Sequence, residues 1–480
     1  MNFSTENTYL IIRIIEVLFI LYAAPLSVIY LLRIINAFYT NIRYKNIVDN
    51  EKKEIEILTK TPLATGISII APAYNESSTI IDNIRSLLMI DYPTFEVIIV
   101  NDGSQDDSIS KVVSAFDLER TAKTPINPIN SRQIKSIYKS NKHAFRRLTI
   151  IDKANGGKAD ALNAGLQYAK YPLIASIDVD SILTKNALAK LARPFMQDSS
   201  VIASGSAIRI ANSCEIEHGF LKKVYFPKGF YARFQVLEYL RAFLLGRMLL
   251  SNINGLMLVS GATGLFKKHL VTKVGGYSTD TVGEDIELLI RMRRYCYENG
   301  IKHKVKYISD PICYTEAPSD TKTLKRQRNR WARGSIEALW RHKKMLFNPG
   351  YGVIGMYSLP YWLFYELLLP VILVAGIIFV SLLILMGLFS PIGFLKIYLF
   401  SYSFSVFISM STLLLEEFTY RQYSRVSDFF TLTLLALSEA FVYQPLVAVW
   451  SLSGILDKII GKKRGWGVMK RNGFTKTARI

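Results

Sequence analysis

From residue 66 onward the chain alternates short, unbroken apolar runs with stretches whose apolar residues recur at helical spacing. GISIIA, FEVIIV, RLTIID and PLIASID are runs of strand length. Between them, SSTIIDNIRSLLMI and segments over about 105–117 and 158–169 carry the helical period. Strands that are apolar throughout and alternate with helices predict an α/β fold with a mostly parallel sheet covered on both faces. In such sheets ligands gather beyond the carboxyl ends of the strands. Each of the four strands runs into polar residues there: PAYNE, NDGS, DKANGGK and DVDS. Residues 118–148, with TPINPIN and many Lys and Arg, interrupt the alternation and predict a surface insertion with solvated charges.

The two ends of the chain are far more apolar. IIEVLFILYAAPLSVIYLL, extended by RIINAFY, approaches the length of a bilayer span. No charged region precedes it and no small-residue cleavage site follows before Arg33, so a retained anchor is expected rather than a secretory signal. Three long apolar stretches follow residue 345, and three to five membrane segments are expected in all. The expected organisation is an anchor over 1–41, an α/β domain over 42–345, membrane and interface helices over 346–456 and a basic tail over 457–480. Glu439 and Pro445 suggest that the last apolar segment is broken, interfacial or re-entrant.

A formal net charge of +21 over 480 residues could signal nucleic-acid binding, but it fits the positive-inside bias of a membrane protein, and no nucleic acid is expected as a partner. With Lys- and Arg-free residues 1–8 outside, the 42–345 region, the Arg421–Arg425 loop and the GKKRGWGVMKR tail fall on the cytoplasmic side of a plasma or inner membrane. Cys214, Cys296 and Cys313 form no Cys-x-x-Cys pair and the five histidines no metal-spaced pair, which excludes a disulfide framework and a zinc site.

The candidate chemistry begins at DVDS. Read as the end of a strand, Asp178 and Asp180 point to one side, where unpaired carboxylates repel each other and resist desolvation. No GxGxxG or GxxxxGK[ST] is present to cradle a phosphate directly. A divalent Mg²⁺ or Mn²⁺ ion bridging the pair to a diphosphate would reconcile the charges, because hard cations prefer carboxylate and phosphate oxygens.

PAYNE (72–76), NDGS (101–104), GGKADALNAG (156–165), IDVDS (177–181), SGATGLFKK (260–268), GEDIELLIRM (283–292) and QRNRWARG (327–334) occur in this order. Together they resemble the membrane-embedded family 2 glycosyltransferases, the group of cellulose, chitin, hyaluronan and poly-N-acetylglucosamine synthases. The resemblance covers about residues 66–345 and implies a GT-A-type domain, a UDP-sugar donor, Mg²⁺ or Mn²⁺, and inverting transfer. It implies that Tyr74, Glu76 and Asp102 hold the uridine and that Lys158 meets the diphosphate. Asp180 would hold the metal, and Asp178 the donor sugar or ribose and the metal. Asp285 would be the general base, near the start of a helix whose dipole favours its ionised form. Glu284, Gln327, Arg330 and Trp331 would receive the acceptor or product, with Trp331 offering a flat face to a sugar ring. Asn101 and Gly283 depart from the pattern, standing where many relatives have Asp and Thr.

The implied activity is extension of a β-linked polysaccharide from a UDP-sugar, N-acetylglucosamine ahead of glucose, with export through the protein's own helices. The partners are then the donor, a glycan or lipid-linked acceptor and the bilayer. Single-sugar transfer to a lipid carrier or glycolipid is the alternative. A non-catalytic scaffold is disfavoured by the presence of Asp102, Asp178, Asp180, Asp285 and Trp331 together. Glu366 and Glu439, ionisable groups in apolar segments, are candidates for a polar channel.

Overall fold

A computed structural model describes residues 5–45, 48–217 and 219–462. The four expected strands form as Ile67–Ala73 (β1), Phe95–Asn101 (β2), Leu148–Lys153 (β5) and Leu173–Ile177 (β6). They lie side by side and parallel in the order β5-β2-β1-β6. Successive residues of these strands feed opposite cores. Ile69, Val97, Ile99 and Ile150 pack on one face, and Ile70, Ile98, Val100 and Ile151 on the other. Burial of each such side chain is worth about 1.5–3 kcal/mol, so the unbroken apolar pattern follows from a sheet covered on both sides.

The insertion is more than a surface loop. Ile134–Ser140 (β4) pairs antiparallel with β5, and Leu118–Thr121 (β3) pairs antiparallel with β4 to finish one edge of the sheet. In β4 Ile137 is buried, whereas Lys135 and Lys139 are exposed. Toward the other edge come Ile182–Leu183 (β7), Val201–Ile210 (β8), Thr263–Lys267 (β11) and Lys304–Thr315 (β12), giving ten strands in the order β3-β4-β5-β2-β1-β6-β11-β8-β12-β7. Glu215–Glu217 (β9) and Phe220–Lys223 (β10) pair as a separate two-stranded ribbon. The sheet is thus mixed, with a parallel centre that carries the four polar loops.

Among the described residues, four helical stretches are long and apolar enough to cross a membrane: Ile12–Ile42, Ile354–Leu385, Pro391–Thr419 and Val426–Ile459. This number falls within the expected range. The last is continuous through Glu439 and Pro445, so the expected break does not occur. Glu439 is only 1% exposed, and its carboxylate is paired, Arg241 donating to its two oxygens at 2.7 and 2.8 Å. That pairing removes the reason to expect a free channel carboxylate there. Glu366 is exposed and accepts from the Tyr361 hydroxyl at 3.2 Å. The α/β domain and the apolar helices share further buried contacts, Arg209 with Glu416 at 2.6 Å and Arg328 with both Glu238 and Tyr443. The tail beyond residue 462, and with it most of the basic 457–480 segment, lies outside the described residues, as do residues 1–4 of the Lys- and Arg-free N-terminus.

Candidate active site

The rim is built from loops that stitch one another in place. After β1, Asn75 takes a left-handed φ of 55°, a conformation Asn tolerates better than most residues. Its N–H donates to Ser104 Oγ at 2.9 Å, and its side-chain oxygen accepts from the Gln105 N–H at 2.8 Å. The Glu76 N–H donates to Ser108 Oγ at 3.1 Å. PAYNE is thereby fixed to the loop after β2, with Tyr74 39% exposed and Glu76 beside it.

Asp102 is committed inward. Its Oδ1 accepts from Lys153 Nζ at 2.6 Å and the Gly156 N–H at 2.9 Å, and its Oδ2 from the Gly157 N–H at 2.7 Å. A carboxylate offers roughly four acceptor positions, so little remains for a ligand. Lys153 is fully buried and also meets Asp160 at 2.5 Å. The network shapes the GGK turn, where Gly157 has φ 87°, and sets the start of the helix Lys158–Tyr168.

Lys158, at the first position of that helix, is where the charges converge. Its ammonium lies 2.5 Å from Asp178 Oδ1 and 3.4 Å from Glu284 Oε1. Burial alone would lower its pKa, but Asp178 and Glu284 more than reverse this, so the pKa is raised and the group stays charged. Glu284 is 3% exposed; burial and the adjacent Asp285 raise its pKa against the pull of Lys158. Asp285 occupies the first turn of the helix Glu284–Glu298, as the pattern predicts. Its Oδ2 accepts from the Gly261 N–H at 3.1 Å and its Oδ1 from the Ile286 N–H at 2.8 Å. Gly261 is the pivot: a Cβ there would stand 2.8 Å from Lys158 Nζ and 3.4 Å from Asp285 Oδ2.

The DVDS segment departs from the strand geometry expected of it. β6 ends at Ile177, and Asp178 to Ser181 form a turn closed by the Ser181 N–H donating to the Asp178 carbonyl at 2.9 Å. Asp178 is partly exposed at the rim and Asp180 is 9% exposed, so their relation comes from the turn and not from a period of two. Among the described residues no cluster of three or more His, Cys, Asp or Glu is placed to hold a metal ion. Two carboxylates on one turn still fit a hard divalent cation whose other positions are filled by phosphate and water.

The QRNRW segment lies on the helix Thr321–Arg341. Gly283, one residue before Glu284, meets Gly334 of that helix so closely that a Cβ on Gly283 would lie 2.9 Å from Gly334 Cα. This contact gives a local reason for glycine at 283. Glu337 fastens the same junction, accepting from Thr281 Oγ1 and the Val282 N–H, both at 3.0 Å. Arg330 lies within electrostatic range of Glu284. Trp331 is 40% exposed, with the Arg328 guanidinium 4.4 Å from its ring centre. Gln327 is 8% exposed and its Oε1 is a buried acceptor without a protein partner.

The structure therefore gathers Lys158, Asp178, Glu284 and Asp285 around Gly261, sets Asp180 on the same turn as Asp178, and docks the Gln327–Trp331 helix beside Glu284. Tyr74 and Glu76 lie on the rim, and Asp102 beneath it. Sequence reasoning missed Gly261, Lys153 and Glu337. SGATG was noticed without a role for its first glycine, and nothing local marks Glu337.

A carboxylate-rich rim thus lies on a mixed α/β sheet, with Asp285 at a helix start. The glycosyl transferase family 2 model matches residues 68–250, and the glycosyl transferase family group 2 model matches residues 173–416, just over half of the chain. The chain belongs to the family 2 glycosyltransferases, as the motif series implies. It is 29% identical over 276 residues to a poly-beta-1,6-N-acetyl-D-glucosamine synthase of Staphylococcus epidermidis, spanning 58% of this chain and 56% of that protein. A synthase of the same name from Staphylococcus aureus strain COL is 29% identical over 323 residues, 67% of this chain and 65% of that protein. The matched region thus spans less than two thirds of either relative. Among solved structures, a mannosyltransferase from Pyrobaculum calidifontis in complex with GDP-Man and Mn2+ aligns over 91% of this chain and 100% of its own, with a TM-score of 0.48 and 16% identity.

Proposed function

We propose that this glycosyltransferase is UDP-sugar-dependent, inverting and polymerising, with N-acetylglucosamine the favoured unit and glucose the next. It acts at the cytoplasmic face of a plasma or inner membrane and passes its product through the apolar helices. The observation that carries the reading is the meeting of Lys158, Asp178, Glu284 and Asp285 around Gly261, with the QRNRW helix packed directly on the Asp285 loop. The relatives' name favours N-acetylglucosamine over glucose.

Tyr74 and Glu76 contact the uridine from the rim, while Asp102 acts from beneath by holding the GGK turn. Asp178 and Asp180 hold Mg²⁺ or Mn²⁺, which when bound neutralises charge on the diphosphate. Lys158 reaches the diphosphate as a mobile point charge. Gln327, Arg330 and Trp331, with Glu284, orient the acceptor sugar. Asp285, fixed through one N–H on each oxygen, keeps lone pairs for the acceptor hydroxyl and takes its proton as that oxygen attacks the anomeric carbon. Attack from the face opposite UDP turns an α-linked donor into a β-linkage. The 1–41, 42–345 and 346–456 divisions then serve as anchor, catalytic domain and export helices, and a cytoplasmic 457–480 tail requires that one of the three apolar helices after residue 345 does not cross.

Purified full-length protein with Mn²⁺ and a panel of radiolabelled UDP-sugars tests the reading. UDP release with one donor and a long product are expected. A single-sugar lipid adduct would select the alternative, and no UDP release with any donor would overturn both.

A further inference from the structure

Lys158 holds two carboxylates at once, and one of them is assigned above to the metal. Asp178 Oδ1 takes the ammonium at 2.5 Å, a distance at which that oxygen's charge is already neutralised. Glu284, buried at 3% exposure, depends on the same ammonium at 3.4 Å. Gly261 leaves just enough room for this arrangement, because a Cβ there would stand 2.8 Å from Lys158 Nζ. A divalent cation arriving alone on Asp178 would have to share that oxygen with the ammonium or push it wholly onto Glu284, which it already meets at 3.4 Å. A diphosphate changes the balance, since its oxygens can accept the ammonium's three N–H groups while also ligating the cation.

We propose that Lys158 is a positioning residue that gates the metal site: its contact with Asp178 excludes a divalent cation until a nucleoside diphosphate draws the ammonium away. The gate rests on the assignment of Asp178 and Asp180 to the metal and goes beyond it by fixing the order of binding. It also gives the short contact a purpose, because a cation admitted without donor would leave Glu284 beside Asp285 with a weakened counter-charge. By thermodynamic linkage, the factor by which UDP strengthens metal binding equals the factor by which the metal strengthens UDP binding.

The test is Mn²⁺ binding to the detergent-solubilised full chain, read from the electron paramagnetic resonance of free Mn²⁺, with and without UDP. Wild type should bind Mn²⁺ weakly alone, and UDP should tighten it by a factor within the usual coupling range of about 5–150. Lys158→Met should bind Mn²⁺ alone more tightly than wild type, with most of the UDP effect gone, whereas Lys158→Arg should behave as wild type. Unchanged Mn²⁺ affinity in folded Lys158→Met overturns the gate. So does a wild-type chain that binds Mn²⁺ equally well without UDP, a result that needs no variant. Absence of Mn²⁺ binding even at saturating UDP overturns the metal assignment beneath the gate, and failure to bind UDP at all overturns the donor reading, so the failures are distinguishable.

Discussion

Asp285 carries one backbone N–H on each carboxylate oxygen, from Gly261 and from Ile286, and so is held at a fixed angle. Replacing it with Asn keeps the shape and removes the basicity. Asp285→Asn is expected to retain UDP-sugar binding while transfer falls by about 10²–10⁴-fold; loss of binding in a folded variant would contradict the assignment. Two residues further along the same helix, Glu287 is buried against Arg291 at 2.9 Å and His342 at 3.3 Å. Burial would raise its pKa, but His342 and Arg291 lower it from 4.5 to about 2. A depressed folded-state pKa gives stability that is present above the unfolded value and lost as pH falls through the folded one. Glu287→Gln should therefore cost on the order of 2–3 kcal/mol at neutral pH, and the gap should close between pH 4.5 and about 2, as thermal unfolding in detergent would show. The place of Asp285 at a helix start was legible because an acidic pair opens an amphipathic run, while its role as base was implied only by the family resemblance. Gly261 was not legible, because Lys158 and Asp285 meet there only after the chain has crossed the sheet.

At the scale of elements, the crossing of Gly283 and Gly334 decides where the acceptor helix sits on the base loop. Gly283→Ala would place a methyl group 2.9 Å from the Gly334 backbone, too close without movement of one element. Overpacking of this kind costs about 1–3 kcal/mol. Transfer should fall while UDP binding persists, measured by initial rate and by UDP titration. The apolar β1, β2, β5 and β6 runs were legible because both their faces are buried, which leaves an unbroken pattern. The outer strands β3 and β4 were hidden because each has only one buried apolar residue, Leu118 and Ile137, among polar neighbours. DVDS was misread for a related reason: period-2 reasoning applies only while the strand lasts, and β6 stops one residue before Asp178.

Across the whole molecule, the α/β domain and the apolar helices are joined by buried ion pairs. Arg241 donates to Glu439 at 2.7 and 2.8 Å and to Ser409 at 3.0 Å, tying the domain to two different helices. Glu439→Ala should leave that arginine uncompensated and cost about 3–5 kcal/mol, whereas replacing both partners with Met should cost less, compared by thermal unfolding in one detergent. Glu337 extends the connection to the chemistry. Besides the Thr281 and Val282 loop, it lies 3.8 Å from Lys458, at the end of the Val426–Ile459 helix. If that helix lies in the bilayer, its depth follows lipid acyl length, and a change of depth pulls on the residues immediately before Glu284 and Asp285. Turnover in reconstituted vesicles should therefore pass through an optimum as acyl chains lengthen, and Glu337→Ala should flatten that profile, making bilayer thickness a variable of the reaction.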